Sequence, residues 1–129
     1  MIETAITEGV KVSVRTTYED SFSDPKSGNY YFSYKIHIEN QSDHAIKLLR
    51  RKWMIFDSIG EHILVEGEGV VGEKPVIEPN SSYTYESACK LRSEIGKMWG
   101  VYYIERDTQK KNCCIRIPEF NLMVPYLSN

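Results

Sequence analysis

The sequence predicts an all-β protein, an antiparallel β-sandwich of about seven or more short strands with little or no helix. Apolar and polar residues alternate over many short segments, which is the period of a half-buried strand. Turn-forming residues separate these segments. The most helix-compatible stretch, SACKLRSEIGK at residues 87–97, is interrupted by Gly96 and allows one turn at most. The 129 residues are enough for one core, so we expect a single domain over residues 1–129.

The alternation is clear near the start of the chain. In VKVSVRTTY, residues 10–18, Val10, Val12 and Val14 share one face opposite polar and charged residues. The segment DSFSDPKSGN, residues 20–29, is rich in Ser, Asp, Pro and Gly. We therefore expect a strand followed by an exposed loop.

Two longer strands follow. The first is YYFSYKIHIENQ at residues 30–41, in which alternate residues form one apolar face. That face consists of Tyr30, Phe32, Tyr34, Ile36 and Ile38. The segment NQSDHA, residues 40–45, then turns the chain into IKLLRRKWMIFD at residues 46–57, which ends at a turn around residues 58–60.

The second half of the chain is also strand-like. SSYTYESA at residues 81–88 and MWGVYYIE at residues 98–105 are rich in residues that favour strands. The polar run DTQKKN, residues 107–112, connects MWGVYYIE to CCIRIP at residues 113–118. We predict that these last two strands form a hairpin.

Composition and charge argue against several classes of protein. Sixteen Lys and Arg residues against 18 Asp and Glu residues give a formal net charge of −2, so no global basicity indicates a nucleic-acid partner. No apolar run is long enough to span a membrane, and MIETAITEGVKV lacks the regions of a signal peptide. Cys89, Cys113 and Cys114 are an odd number without a C-x-x-C pair, which argues against a disulfide framework. We expect a cytoplasmic protein.

The segment ILVEGEGVVGEKPVIEP, residues 63–79, contains the pattern G-x-G-x-x-G at Gly67, Gly69 and Gly72. In a dinucleotide-binding domain, this pattern follows a strand and opens a helix whose N-terminus binds the pyrophosphate. ILVE is a suitable strand. The interpretation therefore depends on whether a helix follows the glycines.

The residues after the glycines do not favour a helix. Pro79 would fall in its second turn, where it removes a backbone donor and clashes with the preceding turn at a cost of about 3 kcal/mol. Val76 and Ile77, between Pro75 and Pro79, are β-branched and favour a strand. No G-K-[ST] follows either, which excludes a P-loop. The sequence thus argues against a dinucleotide-binding fold.

Two interpretations of the glycine loop remain. Glycine permits a positive φ or a close backbone approach in a bulged connection between strands. Alternatively, successive backbone N–H groups form an anion-binding nest for pyrophosphate or a dinucleotide, with or without a divalent cation. Three carboxylates beside the loop would repel phosphate, which favours the structural interpretation; they are Glu66, Glu68 and Glu73. The candidate anion loop consists of Gly67, Glu68, Gly69, Gly72 and Lys74.

A basic run next to Trp53 supplies candidate contacts to an anion: Arg50, Arg51 and Lys52. Alternation along a strand sends Arg50 and Lys52 to one face, and Arg51 and Trp53 to the other. Only part of this charge can form one patch. We therefore favour a solvated strand face, with Trp53 in or near the core.

The residue types of catalytic and metal sites are present without the spacing that such sites need. His37 lies on a polar strand face, and His44 and His62 lie near turns. The patterns G-x-S-x-G, C-x-x-C and H-E-x-x-H do not occur. The loop glutamates could offer oxygens to a divalent cation, but a solvated acidic loop is favoured. We predict no catalytic residue, no metal site and no cofactor.

Six motifs in order, from about Val10 to Pro125, resemble those of the ApaG family of small bacterial proteins. They are IENQ (38–41), LLRRKW (48–53), GEGVVGEKP (67–75), YESACKL (85–91), GKMWGVY (96–102) and IPEFNLMVP (117–125). No single motif is decisive, but together they are specific. The resemblance implies an immunoglobulin-like or fibronectin-III-like sandwich, in agreement with the strand pattern.

The resemblance implies no settled activity. The bacterial family is associated with cobalt and magnesium efflux or resistance, and the same domain in some F-box proteins and a polymerase-delta-interacting protein looks like an interaction module. Its glycine motif, intact here, has been discussed as a pyrophosphate or nucleotide site. Because a protein without a membrane span cannot itself transport ions, we expect any role in metal resistance to be indirect.

The aromatic content points to a partner. Nine tyrosines exceed what one small core usually needs, and Tyr and Trp are favoured at protein interfaces. Six aromatic residues lie on strands expected to be central, some on outer faces: Tyr30, Tyr31, Tyr34, Trp99, Tyr102 and Tyr103. We predict a non-enzymatic binding or adaptor module that contacts a protein partner, or a second copy, through an exposed sheet face. The alternative is a small-ligand domain that holds pyrophosphate or a dinucleotide at the glycine loop.

Overall fold

The computed structural model describes residues 2–106 and 111–127. Within them, nine strands form two antiparallel sheets. The strands are β1 (Ile2–Thr7), β2 (Val10–Tyr18), β3 (Tyr30–Asn40), β4 (Ile46–Asp57), β5 (Glu61–Glu68), β6 (Val76–Ile77), β7 (Ser82–Leu91), β8 (Ile95–Arg106) and β9 (Lys111–Met123). The helical turns in the described residues are short 3₁₀ turns at Asp20–Phe22, Pro25–Ser27 and Pro125–Leu127. No described helix is long and apolar enough to cross a membrane.

The two sheets pack face to face as a sandwich. The four-stranded sheet has the order β1-β2-β3-β7. The five-stranded sheet has the order β5-β4-β8-β9, with the short β6 paired to the start of β4. All of these pairings are antiparallel. The all-β sandwich predicted from the alternation is confirmed.

The core lies between the sheets and is centred on aromatic residues. The predicted inner face of β3 is confirmed, since all five of its residues are at most 9% exposed. Trp53 lies against three other rings, with centroid distances of 5.5 Å to Tyr34, 5.8 Å to Phe120 and 6.5 Å to Tyr102. Such tilted and edge-on ring pairs add to the stabilisation from burial.

One extra residue in β4 sets which of its side chains point inward. Leu48 and Arg50 pair with successive residues of β8, so Leu49 is the extra residue of a β-bulge. The bulge changes the phase of the alternation, because Leu48 is buried before it and Trp53 after it. As the sequence predicted, Arg51 shares a face with Trp53.

The chain beyond β6 agrees with the sequence in most respects. β8 and β9 form the predicted hairpin, although residues 107–110 of its connection lie outside the described residues. The stretch at 87–97 contains no helical turn, because it is the end of β7, a short turn and the start of β8. Its pairing with β3, for example of Cys89 with Phe32, overrides the weak local helical preference.

The two long sides of the sandwich differ. On one side β1 and β9, the end strands of the two sheets, lie together, and the backbone N–H of Arg116 donates to Thr7 Oγ1 at 3.1 Å. On the other side β5 and β7 are the end strands, and they are not paired with each other in the described chain. A cleft enters the core between them. We call these the closed side and the open side.

Candidate functional site

The glycine loop forms a tight turn directly after β5. The N–H of Val70 donates to the carbonyl of Glu73 at 2.8 Å, and the N–H of Glu73 donates to the carbonyl of Val70 at 3.0 Å. The two central residues, Val71 and Gly72, have φ values of 46° and 79°. A type I′ turn requires positive φ at both positions. The chain then continues into the strand Val76–Ile77, as these β-branched residues predicted.

Gly69 is required for two separate reasons. Its φ is +61°, and a Cβ at this position would lie 2.1 Å from the carbonyl oxygen of Glu73. Its N–H donates to the carbonyl of Leu49 at 2.7 Å, which ties the loop to the bulge in β4. Backbone geometry alone therefore accounts for a glycine here.

Gly67 makes room for the side chain of Arg51. The two residues are paired across β4 and β5, and a Cβ on Gly67 would lie 2.8 Å from both terminal nitrogens of the guanidinium. Arg51 Nη1 donates to the carbonyls of Glu68 and Gly69, both at 3.0 Å. The G-x-G part of the motif is thus packed around one arginine, which holds the loop from the inner side.

The hydrogen bonds of the loop favour the structural interpretation over the anion nest. The N–H groups of Gly69 and Val70, which a nest would offer to an anion, donate to backbone carbonyls. Lys74 Nζ lies 3.8 Å from Glu68 Oε2, so the one lysine of the loop forms an ion pair with one of its carboxylates. An anion would have to compete with these contacts.

The three loop glutamates are directed to different partners. Glu66 forms an ion pair of 3.3 Å with Arg50, and Glu73 accepts a hydrogen bond of 3.0 Å from the Tyr83 hydroxyl. Glu68 accompanies the lysine of the loop. In residues 2–106 and 111–127, no group of three His, Cys, Asp or Glu side chains is arranged to hold a metal ion.

The basic run is divided between the two faces of the five-stranded sheet. Arg50 and Lys52 are on the outer face, where Arg50 reaches Glu66. Arg51 is on the inner face with Trp53. The structure therefore brings Arg51 to the glycine loop and leaves the other two cations on the outer face.

The cleft on the open side lies between β4 and β5 of one sheet and β7 of the other, and its volume is about 260 Å³. It is lined on the inner side by one cation, two hydroxyl groups, a thiol and several apolar side chains. These residues are Arg51, Tyr34 and Ser87, Cys89, and Trp53, Ile55, Val65 and Met98. Ala88 and Lys90 border the cleft from the edge of β7, and both are exposed because they alternate with the inward Ser87 and Cys89. None of them carries a negative charge at neutral pH.

Three tyrosine hydroxyl groups are close enough to Arg51 for its charge to act on them: those of Tyr34, Tyr85 and Tyr102. The hydroxyls of Tyr85 and Tyr102 hydrogen-bond to each other. Burial raises the pKa of Tyr34, Tyr85 and Tyr102, and the positive charge of Arg51 offsets this only in part. The three side chains are therefore neutral hydrogen-bonding groups at physiological pH.

Cys89 is a poor candidate nucleophile, and two of the three histidines contact neighbouring side chains. Burial, and then the charge of Asp57, raises the pKa of the Cys89 thiol to about 11, so it is protonated at neutral pH and a poor nucleophile. His37 Nδ1 is 2.7 Å from Thr84 Oγ1, and the His62 ring packs on Phe56 with a centroid distance of 4.9 Å.

The exposed aromatic surface is smaller than the composition suggested. Of the six predicted aromatic residues, three are buried in the core, namely Tyr30, Tyr34 and Tyr102. The other three are half-buried: Tyr31, Trp99 and Tyr103. A tyrosine count therefore overestimates the surface, because the core of this sandwich is itself rich in tyrosine.

An apolar band crosses the outer face of the five-stranded sheet. Met54 pairs with Leu64 on β5 and with Trp99 on β8, so the three side chains lie side by side. Leu64 is 52% exposed, and the other two are half-buried. Lys97 Nζ lies 5.7 Å from the centre of the Trp99 ring, within the range of a cation–π contact. We call Met54, Leu64 and Trp99 the apolar band.

Comparison with known proteins identifies the family. A model of the ApaG domain matches residues 20–106. Protein ApaG of Vibrio vulnificus (strain YJ016) is 40% identical over 120 residues, which cover 93% of this chain and 94% of the relative. The chain belongs to the ApaG family. Protein ApaG of Proteus mirabilis (strain HI4320) is 43% identical over 120 residues, covering 93% and 95%. The X-ray structure of a Northeast Structural Genomics Consortium target matches with a TM-score of 0.87 at 36% identity, covering 95% of this chain and 92% of that chain.

Two residues of this ApaG domain were missed by sequence reasoning and support the fold. Asn40, in the motif IENQ, is fully buried and donates to the carbonyls of His44 and Ile77 at 2.8 and 2.9 Å. Asp57 is 3% exposed and accepts a 2.6 Å bond from the backbone N–H of Arg92. Both residues end a strand predicted from the sequence, and a polar residue at such a position resembles an ordinary turn residue.

Proposed function

We propose that this ApaG domain is a non-enzymatic protein-binding module, and that the apolar band is the centre of its contact surface. The observation that supports the proposal is the meeting of Met54, Leu64 and Trp99 across three adjacent strands, on the face turned away from the core. At a strand spacing of about 4.8 Å, the band spans roughly 10 Å. The partner is either another protein or a second copy of this chain.

The surroundings of the band support the same proposal. Lys52 and Arg50 are the next two outer-face residues of β4 beside Met54, and Lys97 Nζ lies over the Trp99 ring at one end of the band. Arg50 and Lys97 are each paired with a glutamate, at 3.3 and 3.5 Å, in exposed positions where such pairs contribute little to stability. An apolar centre with a polar rim is the common anatomy of a protein interface. We expect a partner surface with an apolar centre and acidic residues at its edge.

The proposal is also consistent with the family's association with cobalt and magnesium tolerance and with a cytoplasmic location. A binding module would influence cobalt or magnesium tolerance through its partner and not by holding the ion. The three cysteines are free, which suits the reducing bacterial cytoplasm.

Site-specific photo-crosslinking in cells tests the proposal. A photo-reactive amino acid replaces Leu64 in one variant and Ile6, which is 61% exposed on β1, in the control. We expect a discrete adduct from position 64 that is absent from position 6, and its mass distinguishes a second copy from another protein. Trp99→Ser in the same chain should remove the adduct. No adduct at position 64, or the same adducts at both positions, would contradict the proposal.

The pyrophosphate alternative is tested by ligand titration. Thermal-shift and amide NMR titrations use pyrophosphate, ATP, a diadenosine polyphosphate, Mg²⁺ and Co²⁺. Because the N–H groups of Gly69 and Val70 already donate to carbonyls, we expect no saturable change in the loop at millimolar concentrations. A saturable shift centred on Gly67, Gly69 and Gly72 would favour the alternative instead.

A further inference from the structure

The cleft on the open side has an excess of positive charge that its own residues do not neutralise. Arg51 lines it from the inner face of β4, and no Asp or Glu is among its described lining residues. No carboxylate of the described chain lies within ion-pair distance of Arg51. Its Nη1 donates to two backbone carbonyls instead. A half-buried guanidinium in this situation favours an added carboxylate or phosphate group.

The rest of the cleft limits the kind of anion. Trp53, Ile55 and Val65 supply an apolar wall. The hydroxyls of Tyr34 and Ser87 are hydrogen-bonded to each other. Burial raises the pKa of Tyr34 and this contact offsets the rise in part, as expected when Ser87 donates. The O–H of Tyr34 is therefore the donor left for a ligand. The volume of about 260 Å³ is below the roughly 300–1,000 Å³ of drug-sized ligand pockets. A dinucleotide would exceed this volume, and an inorganic anion would leave the apolar wall uncovered.

We infer that this cleft binds a small carboxylic acid with a short apolar tail. The carboxylate accepts hydrogen bonds from Arg51 and from the Tyr34 hydroxyl, while the tail packs on Trp53. The site is inside the sandwich, on the opposite face of the five-stranded sheet from the apolar band. It therefore does not depend on the proposed protein-binding function.

The two tryptophans of the chain allow a direct test. The variant Trp99→Phe leaves Trp53, which lines the cleft, as the only tryptophan. Hexanoate is titrated at constant ionic strength while the fluorescence of Trp53 is recorded. We expect a saturable change with hexanoate, and none with 1-hexanol, which lacks the charge, or with pyrophosphate, which lacks the tail. No saturable change with hexanoate, or saturation by pyrophosphate at lower concentration, would overturn the inference.

Two further variants in the Trp99→Phe background locate the binding. Arg51→Gln should weaken hexanoate binding by about tenfold or more, since a charge-assisted hydrogen bond is lost. Arg50→Gln removes the same charge from the adjacent outer-face residue and should leave binding unchanged.

Because Arg51→Gln also loosens the glycine loop, Ser87→Leu provides a second test that keeps the guanidinium. It fills the cleft from β7 and should abolish the fluorescence change. Equal binding by Arg51→Gln and Arg50→Gln, or unchanged binding by Ser87→Leu, would show that hexanoate does not occupy the cleft.

Discussion

The closed and open sides of the sandwich are held together in different ways. On the closed side two end strands lie together, and a backbone N–H of Arg116 reaches Thr7 directly. On the open side the side chain of Arg51 holds the glycine loop from within, and in the described residues no ladder joins β5 to β7. Because the Arg51 side chain, and not a strand pairing, holds this side together, space remains between β5 and β7. That space is the cleft. The same arginine thus stabilises the edge and gives the opening its charge.

The largest effect should come from Gly69 on the open side. We expect Gly69→Ala to lower the free energy of unfolding by about 2–4 kcal/mol, because a positive φ strains alanine and its Cβ would overlap the Glu73 carbonyl oxygen. Urea denaturation measures the loss. The matched control is Gly72→Ala, since φ there is +79° but nothing lies within 4 Å of the added carbon. Its loss should be about 1 kcal/mol, and equal losses would show that the close approach at Gly69 is unimportant.

The next largest effect should come from replacing Arg51 on the open side, compared with Arg116 on the closed side. Arg51→Met should cost about 2 kcal/mol of unfolding free energy, because it removes two charge-assisted hydrogen bonds to the loop carbonyls. Arg116→Met on the closed side should cost under about 0.5 kcal/mol, because that contact uses the backbone N–H and keeps it. Chemical denaturation of both variants checks the difference. Similar costs would mean that the open side does not depend on its arginine.

Alkaline pH should weaken the open side first. Burial raises the pKa of the Cys89 thiol to about 11 in the folded protein, from an ordinary value of 9.0. As the pH rises, the unfolded chain loses this proton before the folded chain does. The contribution is therefore complete below pH 9 and is lost between about pH 9 and 11, at roughly 1 kcal/mol per pH unit.

Denaturation at pH 8, 9, 10 and 11 measures this loss. The variant Cys89→Ala should postpone the decline to about pH 10, where the tyrosines of the unfolded chain begin to ionise. The exposed Cys114 provides the control. If Cys114→Ala shifts the decline equally, the buried thiol is not its cause.

The smallest effect should come from the closed side. Thr7→Val removes the hydroxyl that accepts the Arg116 N–H but keeps the shape of the side chain, and should cost about 0.5–1 kcal/mol. Differential scanning calorimetry can resolve such a change when it is compared with Thr17→Val on β2. A loss as large as that of Arg51→Met would remove the contrast between the two sides.

Much of the fold could be predicted because local alternation decides it. Each inward residue of β3 follows from the period of two, and the hairpin of β8 and β9 follows from its two strand-like segments and polar connection. The bulge at Leu49 could not be predicted, because it depends on the register between β4 and β8, which are far apart in the chain. The left-handed conformation of Val71 was also hidden, since valine is a poor residue for positive φ.

The candidate site was predictable only in part. The sequence separated Arg51 from Arg50 and Lys52 correctly and favoured a structural role for the glycines. It could not show that Gly67 faces Arg51, because this contact requires the pairing of β4 with β5. Ser87, which lines the cleft, has no signal in the sequence, since a serine on a strand suggests only a solvated position.

The bulge at Leu49 links the length of β4 to two structural features at once, namely its register with β8 and the position of the glycine loop. If Leu49 were paired as a regular strand residue, alternation from Leu48 would bring Arg50 and Lys52 into the core and turn Trp53 outward. The same extra residue offers the carbonyl that receives the N–H of Gly69. A deletion of Leu49 would keep the alternation in phase and so preserve the inward orientation of Trp53. It would, however, remove the carbonyl that accepts the hydrogen bond from the glycine loop. Insertions and deletions should therefore be rarer here than at the exposed 20–29 loop, and a shortened β4 should be found only together with a rebuilt glycine loop.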